Sequence, residues 1–239
     1  MDELPRIGIL IPIWNRSKFK PLIALNLKSQ IYPHDKLSVY IDDDSDTDKL
    51  FKSKEEEEDF RRHISPIKLF YSCDKPRRTI GKKRNDLVKM SKEKIVCMMD
   101  SDDVYLKTYI THSYEILKSG GYGCVGATAM IFTMTDKDFK LHAINCGTNK
   151  KLIHEASMMM TKKWFNSSCK FANSSQGEGQ NLFFGLEKKC GITDISQTMC
   201  CVQHSGNSVD KLQFAKEDNS LDFDITEDYK TILRKILNI

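Results

Sequence analysis

The sequence predicts an α/β fold with a mainly parallel sheet flanked by helices and a mixed or antiparallel C-terminal portion. Two observations support this fold class. In the first half of the 239 residues, short apolar segments of strand length alternate with helical patterns. That alternation is typical of parallel strands covered on both faces. Beyond residue 121, strand-like segments follow one another without intervening helices, which favours antiparallel additions to the sheet.

The first half predicts four strands separated by helical or charged segments. The predicted strands are residues 6–13, 37–41, 67–71 and 95–99. The predicted helices are residues 18–30, 82–91 and 107–118. Ser17 is the candidate N-cap of the first helix. Residues 49–63 are highly charged, and we interpret them as a solvated helix face or a mobile loop without a function.

The second half has a different pattern. Its predicted strands are residues 124–133, 140–145, 157–161 and 198–203. A Ser-, Asn- and Gly-rich segment, residues 166–179, predicts a loop that could be mobile. The predicted helices are residues 180–188 and 225–237. Without repeats or a clear linker, residues 1–239 are expected to form a single domain.

Composition excludes several classes of protein. The net charge of +4 is too small to argue for nucleic acid, and the basic residues are dense only between residues 75 and 84. No apolar run approaches the roughly 18 residues of a membrane span, and the N-terminus does not resemble a secretory signal. The eight scattered cysteines are expected to be reduced structural thiols. We therefore expect a soluble, cytoplasmic protein.

Acidic residues follow two of the predicted strands. Asp100, Asp102 and Asp103 come directly after residues 95–99, and Asp42 opens a second acidic cluster after residues 37–41. In open α/β sheets the ligand crevice lies beyond the carboxyl ends of the strands. Hard carboxylate oxygens favour Mg²⁺ or Mn²⁺, so the pattern indicates a metal-diphosphate site. The alternative is a solvated acidic turn.

Three segments, in order, resemble the GT-A glycosyltransferases, and family 2 in particular. Ile11-Pro-Ile-Trp-Asn-Arg16 with Val39-Tyr-Ile-Asp-Asp-Asp-Ser-Asp46 is similar to the family pattern P-x-Y-N-R … V-D-D-G-S-x-D. Gly81-Lys-Lys-Arg-Asn85 is similar to G-x-A-R-N, and Met99-Asp-Ser-Asp-Asp103 contains an Asp-x-Asp motif. The resemblance covers residues 6–120 well and the remainder loosely. It implies a GT-A, Rossmann-like fold with a nucleotide-binding half (1–121) and an acceptor-side half (122–239).

The resemblance implies roles for the residues in these motifs. Asp102 would be a direct ligand of Mn²⁺ or Mg²⁺, and Asp100 would contact the ribose, the metal or its bound water. Asp42 would meet the nucleobase, and Arg84 would support the nucleotide or its diphosphate. The remaining positions expected around the nucleotide are Pro12, Ile13 and Ser101.

Two further roles are implied in the second half. His204 resembles the C-terminal histidine that completes the metal site in many of these enzymes; the alternative is a structural histidine. Glu178 resembles the first acid of an acid pair that supplies the general base. The second acid is replaced by Gly179, which is a departure from the pattern. We interpret Glu155, with His154, as a strand-entry pair, although an acceptor-pocket role stays open.

The expected function is transfer of one sugar from a nucleotide donor, most simply UDP-linked, to a hydroxyl of a glycan, protein or small-molecule acceptor. The reaction would be metal-dependent, inverting and non-processive. One alternative is a non-catalytic nucleotide- or glycan-binding module of the same fold. Another is a sugar nucleotidyltransferase, but that class needs a glycine-rich loop after the first strand, and residues 13–17 contain no glycine.

Overall fold

The computed structural model describes residues 3–73, 76–135, 138–204, 216–217 and 225–239, which leaves Lys75 of the basic cluster outside. The strands are β1 (Ile7–Ile13), β2 (Leu37–Asp43), β3 (Lys68–Ser72), β4 (Ile95–Met98), β5 (Val104–Tyr105), β6 (Cys124–Gly126), β7 (Ala129–Met134), β8 (Lys140–Asn145), β9 (Met159–Thr161), β10 (Cys190–Ile192), β11 (Met199–Gln203) and β12 (Lys216–Glu217). The α-helices are α1 (Lys20–Ser29), α2 (Lys54–Ile64), α3 (Ile80–Met90), α4 (Tyr109–Ser119), α5 (Lys162–Ser167) and α6 (Glu227–Leu237).

The larger sheet has the strand order β10-β6-β9-β4-β1-β2-β3. β1 pairs in parallel with both β2 and β4, and β9 runs antiparallel to its neighbours β4 and β6. Every residue of β1 and β2 is buried, as expected for strands covered on both faces. The predicted fold class, a mainly parallel sheet with helices and an antiparallel addition, is confirmed.

A second sheet has the order β12-β8-β7-β11-β5 and is mostly antiparallel. Its edge strand β5 begins only a few residues after β4 ends. β5 pairs with β11 through Met199 opposite Tyr105 and Cys200 opposite Val104. The acidic segment after β4 therefore connects the two sheets.

Three sequence-based predictions about elements were wrong. Residues 124–133 form two strands in different sheets, because the chain turns after Gly126, whose carbonyl accepts from the N–H of Thr193. Residues 180–188 form turns and a short 3₁₀ segment, Glu187–Lys189; Gly185, at a φ of +72°, interrupts any helix there.

Ser17 does not cap α1. It begins a 3₁₀ turn, Ser17–Phe19, and its hydroxyl donates to Asp48 Oδ1 over 2.5 Å. The charged segment, in contrast, contains a regular helix, α2, whose N-cap Ser53 accepts from the N–H of Glu56. Strands β5, β10 and β12 were not predicted, because two or three residues carry too little pattern to identify a strand.

Candidate active site

A cleft of about 460 Å³ lies beyond the carboxyl ends of β1 and β4. One wall carries the residues that follow these strands, and the opposite wall carries residues 154–155 and 175–178 from the second half of the chain. The sequence-predicted residues that line the cleft are Pro12, Arg84, Asp100, Ser101, Asp102 and Glu178. The structure thus brings six of the nine predicted positions into one cavity.

The other three predicted residues lie behind the wall of the cleft. The carbonyl of Ile13 accepts from Lys83 Nζ over 2.8 Å. Asp42, which is 1% exposed, accepts from Arg78 Nη2 over 2.9 Å. His204 lies directly beside Asp102, with 3.3 Å between its Nε2 and Asp102 Oδ2. Each is therefore within reach of a lining residue without itself forming the cavity surface.

The carboxylate of Asp102 lies beside two basic side chains, those of His204 and Arg16. Besides His204, the Nε of Arg16 lies 3.4 Å from Asp102 Oδ2. Burial alone would raise the pKa of Asp102, but the hydrogen bond to His204 and the charge on Arg16 outweigh burial and lower it. Asp102 is therefore held as an anion.

Asp102 and His204 supply the kinds of donor atom that fit a divalent ion. Among the described residues, no three His, Cys, Asp or Glu side chains gather as a ready-made metal-binding group. Mg²⁺ and related ions, however, are commonly held by one or two carboxylates together with substrate phosphates. The carboxylate of Asp102 and the imidazole of His204 fit a site of this type, in which the phosphates of the substrate would supply further ligands.

Arg84 is a buried cation in the wall of the cleft. It is 2% exposed, and it donates from Nη2 to Asp100 Oδ2 over 3.1 Å and from Nε to Glu178 Oε1 over 3.2 Å. Burial lowers the pKa of Arg84, but the charges of Asp100, Glu178 and Glu155 outweigh burial and raise it. Arg84 thus holds one carboxylate from each half of the chain.

Two buried polar atoms of this group have no hydrogen-bond partner within the part of the chain that the structure describes. They are Arg84 Nη1 and Asp100 Oδ1. Buried polar atoms without partners carry a desolvation cost, and they are typical of sites completed by a ligand. A bound molecule with both donor and acceptor atoms would satisfy the pair.

The acids at the end of β2, Asp43 and Asp44, have structural partners. Asp43 accepts from the N–H of Leu50 over 2.8 Å and from the hydroxyl of Tyr71 over 2.7 Å. Asp44 accepts from Lys83 Nζ and from the N–H of Arg78, both over 2.6 Å. Asp43 therefore connects β2 to its neighbours, and Asp44 fixes the basic segment beside the cleft.

Glu155 lines the cleft close to Glu178. Its Oε1 accepts from the backbone N–H of Gly179 over 3.1 Å. Burial and the neighbouring charge of Glu178 raise its pKa, and the charge of Arg84 opposes them without cancelling them. Glu155 is therefore a carboxyl group that gives up its proton less readily than a solvated one.

The description of the family model that matches residues 8–177 is "Glycosyl transferase family 2". The match covers more than half of the chain and includes all three motifs of the first half. The chain belongs to glycosyltransferase family 2.

Solved structures share the fold of this family 2 chain. The first 349 residues of S. aureus TarS in complex with UDP-GlcNAc match with a TM-score of 0.62 at 16% identity, over 97% of this chain and 65% of that one. The mannosyltransferase PcManGT from Pyrobaculum calidifontis, in complex with GDP-Man and Mn²⁺, matches with a TM-score of 0.61 at 15% identity, over 83% and 56% of the two chains. These are GT-A glycosyltransferases, and the likeness shows that this chain has the GT-A fold.

This family 2 chain spans 43% to 60% of the length of the first three structures it matches. A search of curated proteins gave no match. In the described part of the chain, no helix combines the length and the apolar character that a membrane span requires.

Three further residues that line the cleft of this family 2 chain, Trp14, Arg16 and Arg77, were given no role by the sequence analysis. Trp14 is covered by Arg77, whose guanidinium carbon lies 3.5 Å from the centroid of the indole ring. Arg16 reaches Asp102, as described above. Trp14 and Arg16 belong to the first family motif, so the sequence could have placed them near the site. The sequence marked Arg77 only as one residue of the basic cluster. Nothing in the sequence indicated that Arg77 would cover Trp14.

Proposed function

We propose that this family 2 glycosyltransferase moves one sugar from a nucleotide-sugar donor to an acceptor hydroxyl in a metal-dependent, inverting and non-processive reaction. The observation that carries the proposal is the Arg84 group. One buried guanidinium binds Asp100 of the Asp-x-Asp motif and Glu178 of the opposite wall within one cleft. A solvated acidic turn would not need a buried cation shared with another part of the chain.

Asp102 and His204 would hold the divalent ion, with Asp100 nearby. When bound, Mn²⁺ or Mg²⁺ neutralises the negative charge that develops on the departing diphosphate. The donor chemistry of this pair supports the proposal, and PcManGT, which shares the fold, is described in complex with Mn²⁺. Comparing Mn²⁺ with Mg²⁺ in the release assay identifies which metal the enzyme uses.

The donor would lie along the end of the parallel strands. Pro12 would border the nucleobase and ribose, with Ile13 and Asp42 supporting the wall from behind, and Asp100 and Ser101 would follow toward the diphosphate. A UDP-linked donor is proposed because TarS, of the same fold, is described with UDP-GlcNAc and with UDP. Residues 1–121 would form the donor side and residues 122–239 the acceptor side.

The acceptor would enter beside residues 154–155 and 175–178. A carboxylate within hydrogen-bond reach of the acceptor hydroxyl must remove its proton during the displacement. Glu178 is the candidate from the sequence motif, and Glu155 lies on the same side of the cleft. Either would act on the face of the sugar opposite the diphosphate, which is what inversion requires.

The second candidate function is a non-catalytic module that binds a nucleotide or a glycan. One observation favours it: the second acid of the expected pair is Gly179, so the family's usual base position has no side chain. Binding of a donor without turnover is the signature of this alternative.

The test measures nucleotide release from UDP-GlcNAc and from GDP-Man, with Mn²⁺ or Mg²⁺ and then with EDTA. We expect slow, metal-dependent release of UDP, with water as the acceptor. Asp102→Asn should lower the rate at least about 100-fold, because loss even of the groups that support metal ligands costs 10–100-fold. Asp59→Asn, on the exposed face of α2 beside Arg62, is the matched control and should release UDP normally.

Two results would change the conclusion. Donor binding, seen as a metal-dependent shift in melting temperature, with no release under any condition would favour the non-catalytic module. Release that is equally fast with EDTA would remove the metal from the proposal.

A further inference from the structure

Gly179 lies against a carboxylate from another segment of the chain. A Cβ atom added at residue 179 would be 2.3 Å from Glu155 Oε1, 2.7 Å from its Cγ and 2.8 Å from its Cδ. Real Cβ atoms do not approach other heavy atoms that closely. The end of the Glu155 side chain therefore occupies the space into which a side chain at residue 179 would extend.

One side-chain hydrogen bond and an ordered backbone fix Glu155 in that space. Its Oε1 accepts from the N–H of Gly179 over 3.1 Å. The residue begins a 3₁₀ turn, Glu155–Ser157, that leads directly into β9 of the larger sheet. The next carbonyl, of Ala156, accepts from the buried hydroxyl of Tyr105 over 3.0 Å. A side chain built on a rigid part of the fold keeps a fixed position relative to the cleft.

Glu155 and Glu178 have different surroundings. Glu178 accepts from Nε of the Arg84 guanidinium over 3.2 Å, so a cation already occupies one of its carboxylate oxygens. Glu155 has a backbone N–H as its partner instead, and burial and the charge of Glu178 raise its pKa, which makes its carboxylate a stronger proton acceptor than a solvated one. The charged and titratable groups around Glu155 are Glu178, Arg84 and the adjacent His154.

We propose that Glu155 is the catalytic base of this transferase and replaces the acid that is missing at Gly179, with Glu178 as the positioning residue that holds Arg84. The inference rests on the proposed function. The proton of the acceptor hydroxyl moves to the Glu155 carboxylate as the acceptor oxygen bonds to the anomeric carbon. The bond from that carbon to the diphosphate oxygen breaks, and its electron pair leaves with the nucleoside diphosphate.

The first experiment compares Glu155→Gln with the unaltered protein in metal-dependent release of UDP from UDP-GlcNAc, with water as the acceptor. The glutamine oxygen can still accept from the N–H of Gly179, but the amide cannot take up a proton. We expect the rate to fall about 10²–10⁴-fold, the usual contribution of a general base. Metal-dependent binding of UDP, measured by the melting temperature, should be retained.

The second experiment returns an acid to residue 179. The backbone at Gly179, unlike Gly177 and Gly185, is outside the left-handed region, so aspartate can adopt its conformation. In Glu155→Ala/Gly179→Asp the space is free for the new side chain. We expect this double variant to release UDP at least about tenfold faster than Glu155→Ala, since a positioned base contributes 10²-fold or more.

A third measurement separates catalysis from folding. Azide attacks without losing a proton, so it should accelerate UDP release by Glu155→Ala and leave the unaltered protein little changed. Glu187→Gln, outside the cleft beside Lys151, is the control and should behave normally.

The inference is overturned if Glu155→Gln turns over at the unaltered rate, or if Glu155→Ala binds UDP but neither azide nor Gly179→Asp restores release. A protein that binds UDP and never releases it from a donor would overturn the proposed function itself, and the inference with it.

Discussion

Three carboxylates, those of Asp100, Glu155 and Glu178, lie around the guanidinium of Arg84, and they differ in their hydrogen-bond partners. Asp100 and Glu178 accept from Arg84, whereas Glu155 accepts from a backbone N–H. Arg84 holds the first two as ion pairs, whereas burial and the charge of Glu178 make ionisation of Glu155 less favourable. Groups that are costly in the folded protein are frequently those required for function.

The first residue-scale prediction concerns stability and pH. Because the pKa of Glu155 is raised by folding, its neutral form favours the folded state. That contribution is complete below the unfolded-state pKa of about 4.3 and is lost as the pH rises through the folded-state pKa. Glu155→Gln stays neutral, so it should be more stable than the unaltered protein at pH 8 and equal to it near pH 4.

Urea unfolding at pH 4, 6 and 8 measures this difference. Glu187→Gln is the control of opposite sign, because the pKa of Glu187 is lowered by its backbone and Lys151 contacts. A Glu155→Gln variant that loses stability at pH 8 would contradict the prediction.

Asp44 shows what sequence can and cannot supply at this scale. The family pattern V-D-D-G-S-x-D has glycine after its acid pair, where this chain has Asp44. In the structure it binds Lys83, which is 4% exposed and would otherwise be a buried cation without its carboxylate. The family motifs predicted that Arg84, Asp100 and Asp102 belong to one site. The Asp44–Lys83 ion pair was not predictable in this way, because its two residues are 39 positions apart and leave no local pattern.

At the scale of elements, helix α3 and the loop that carries Glu178 are in close contact. Gly81, near the start of α3, donates its N–H to the carbonyl of Ser174 over 3.0 Å. A Cβ at residue 81 would be 1.9 Å from the carbonyl oxygen of Ala172 and 3.0 Å from the Cβ of Glu178. Only glycine allows the helix and the loop to approach this closely.

The element-scale prediction is that Gly81→Ala separates the helix from the loop. Overpacking of this kind costs about 1–3 kcal/mol. The displaced loop would also move Glu178 away from Arg84, so UDP release should fall by at least about tenfold, since small misplacements near the chemistry cost up to 10²-fold.

Urea unfolding and UDP release measure both effects on one preparation. Lys89→Ala, on an exposed position of the same helix, is the control and should change neither. Normal release by Gly81→Ala would show that the loop does not position the site.

Secondary structure could be predicted where consecutive apolar residues of one segment are buried. Strands β1, β2 and β4 were identified within two residues because their apolar runs are almost entirely buried, and the edge strand β3 was identified from its apolar residues 69–71. The segment 180–188 was misassigned because Leu182, Phe183 and Leu186 are spaced as on a helix, while turns place the first two in the core. Apolar spacing alone does not distinguish a helix from a series of turns that bury the same residues.

At the scale of the whole molecule, the Asp-x-Asp segment joins the two sheets. β4 ends in the larger sheet, β5 begins in the smaller one, and Asp102 between them meets His204 at the end of β11. A ligand that binds this segment therefore contacts both sheets. We expect donor and metal to stabilise the protein as a unit.

The whole-molecule prediction is that UDP with Mn²⁺ raises the melting temperature. At 100 times the dissociation constant, a ligand specific for the folded state adds about 2.7 kcal/mol. For a chain of this size that corresponds to a shift of about 5–10 °C. EDTA should abolish the shift, and so should Asp102→Asn; a shift that persists in either case would place the metal elsewhere.

The stacked pair of Trp14 and Arg77 has an optical consequence. The protein has two tryptophans, and the other, Trp164, is 3% exposed and packs against Phe183 away from the cleft. A molecule that enters the cleft changes the polarity around one indole and leaves the second as an internal reference. Trp14 is thus a native fluorophore in the wall of the cleft, and binding of a ligand in the cleft can be followed by its fluorescence without attaching a dye.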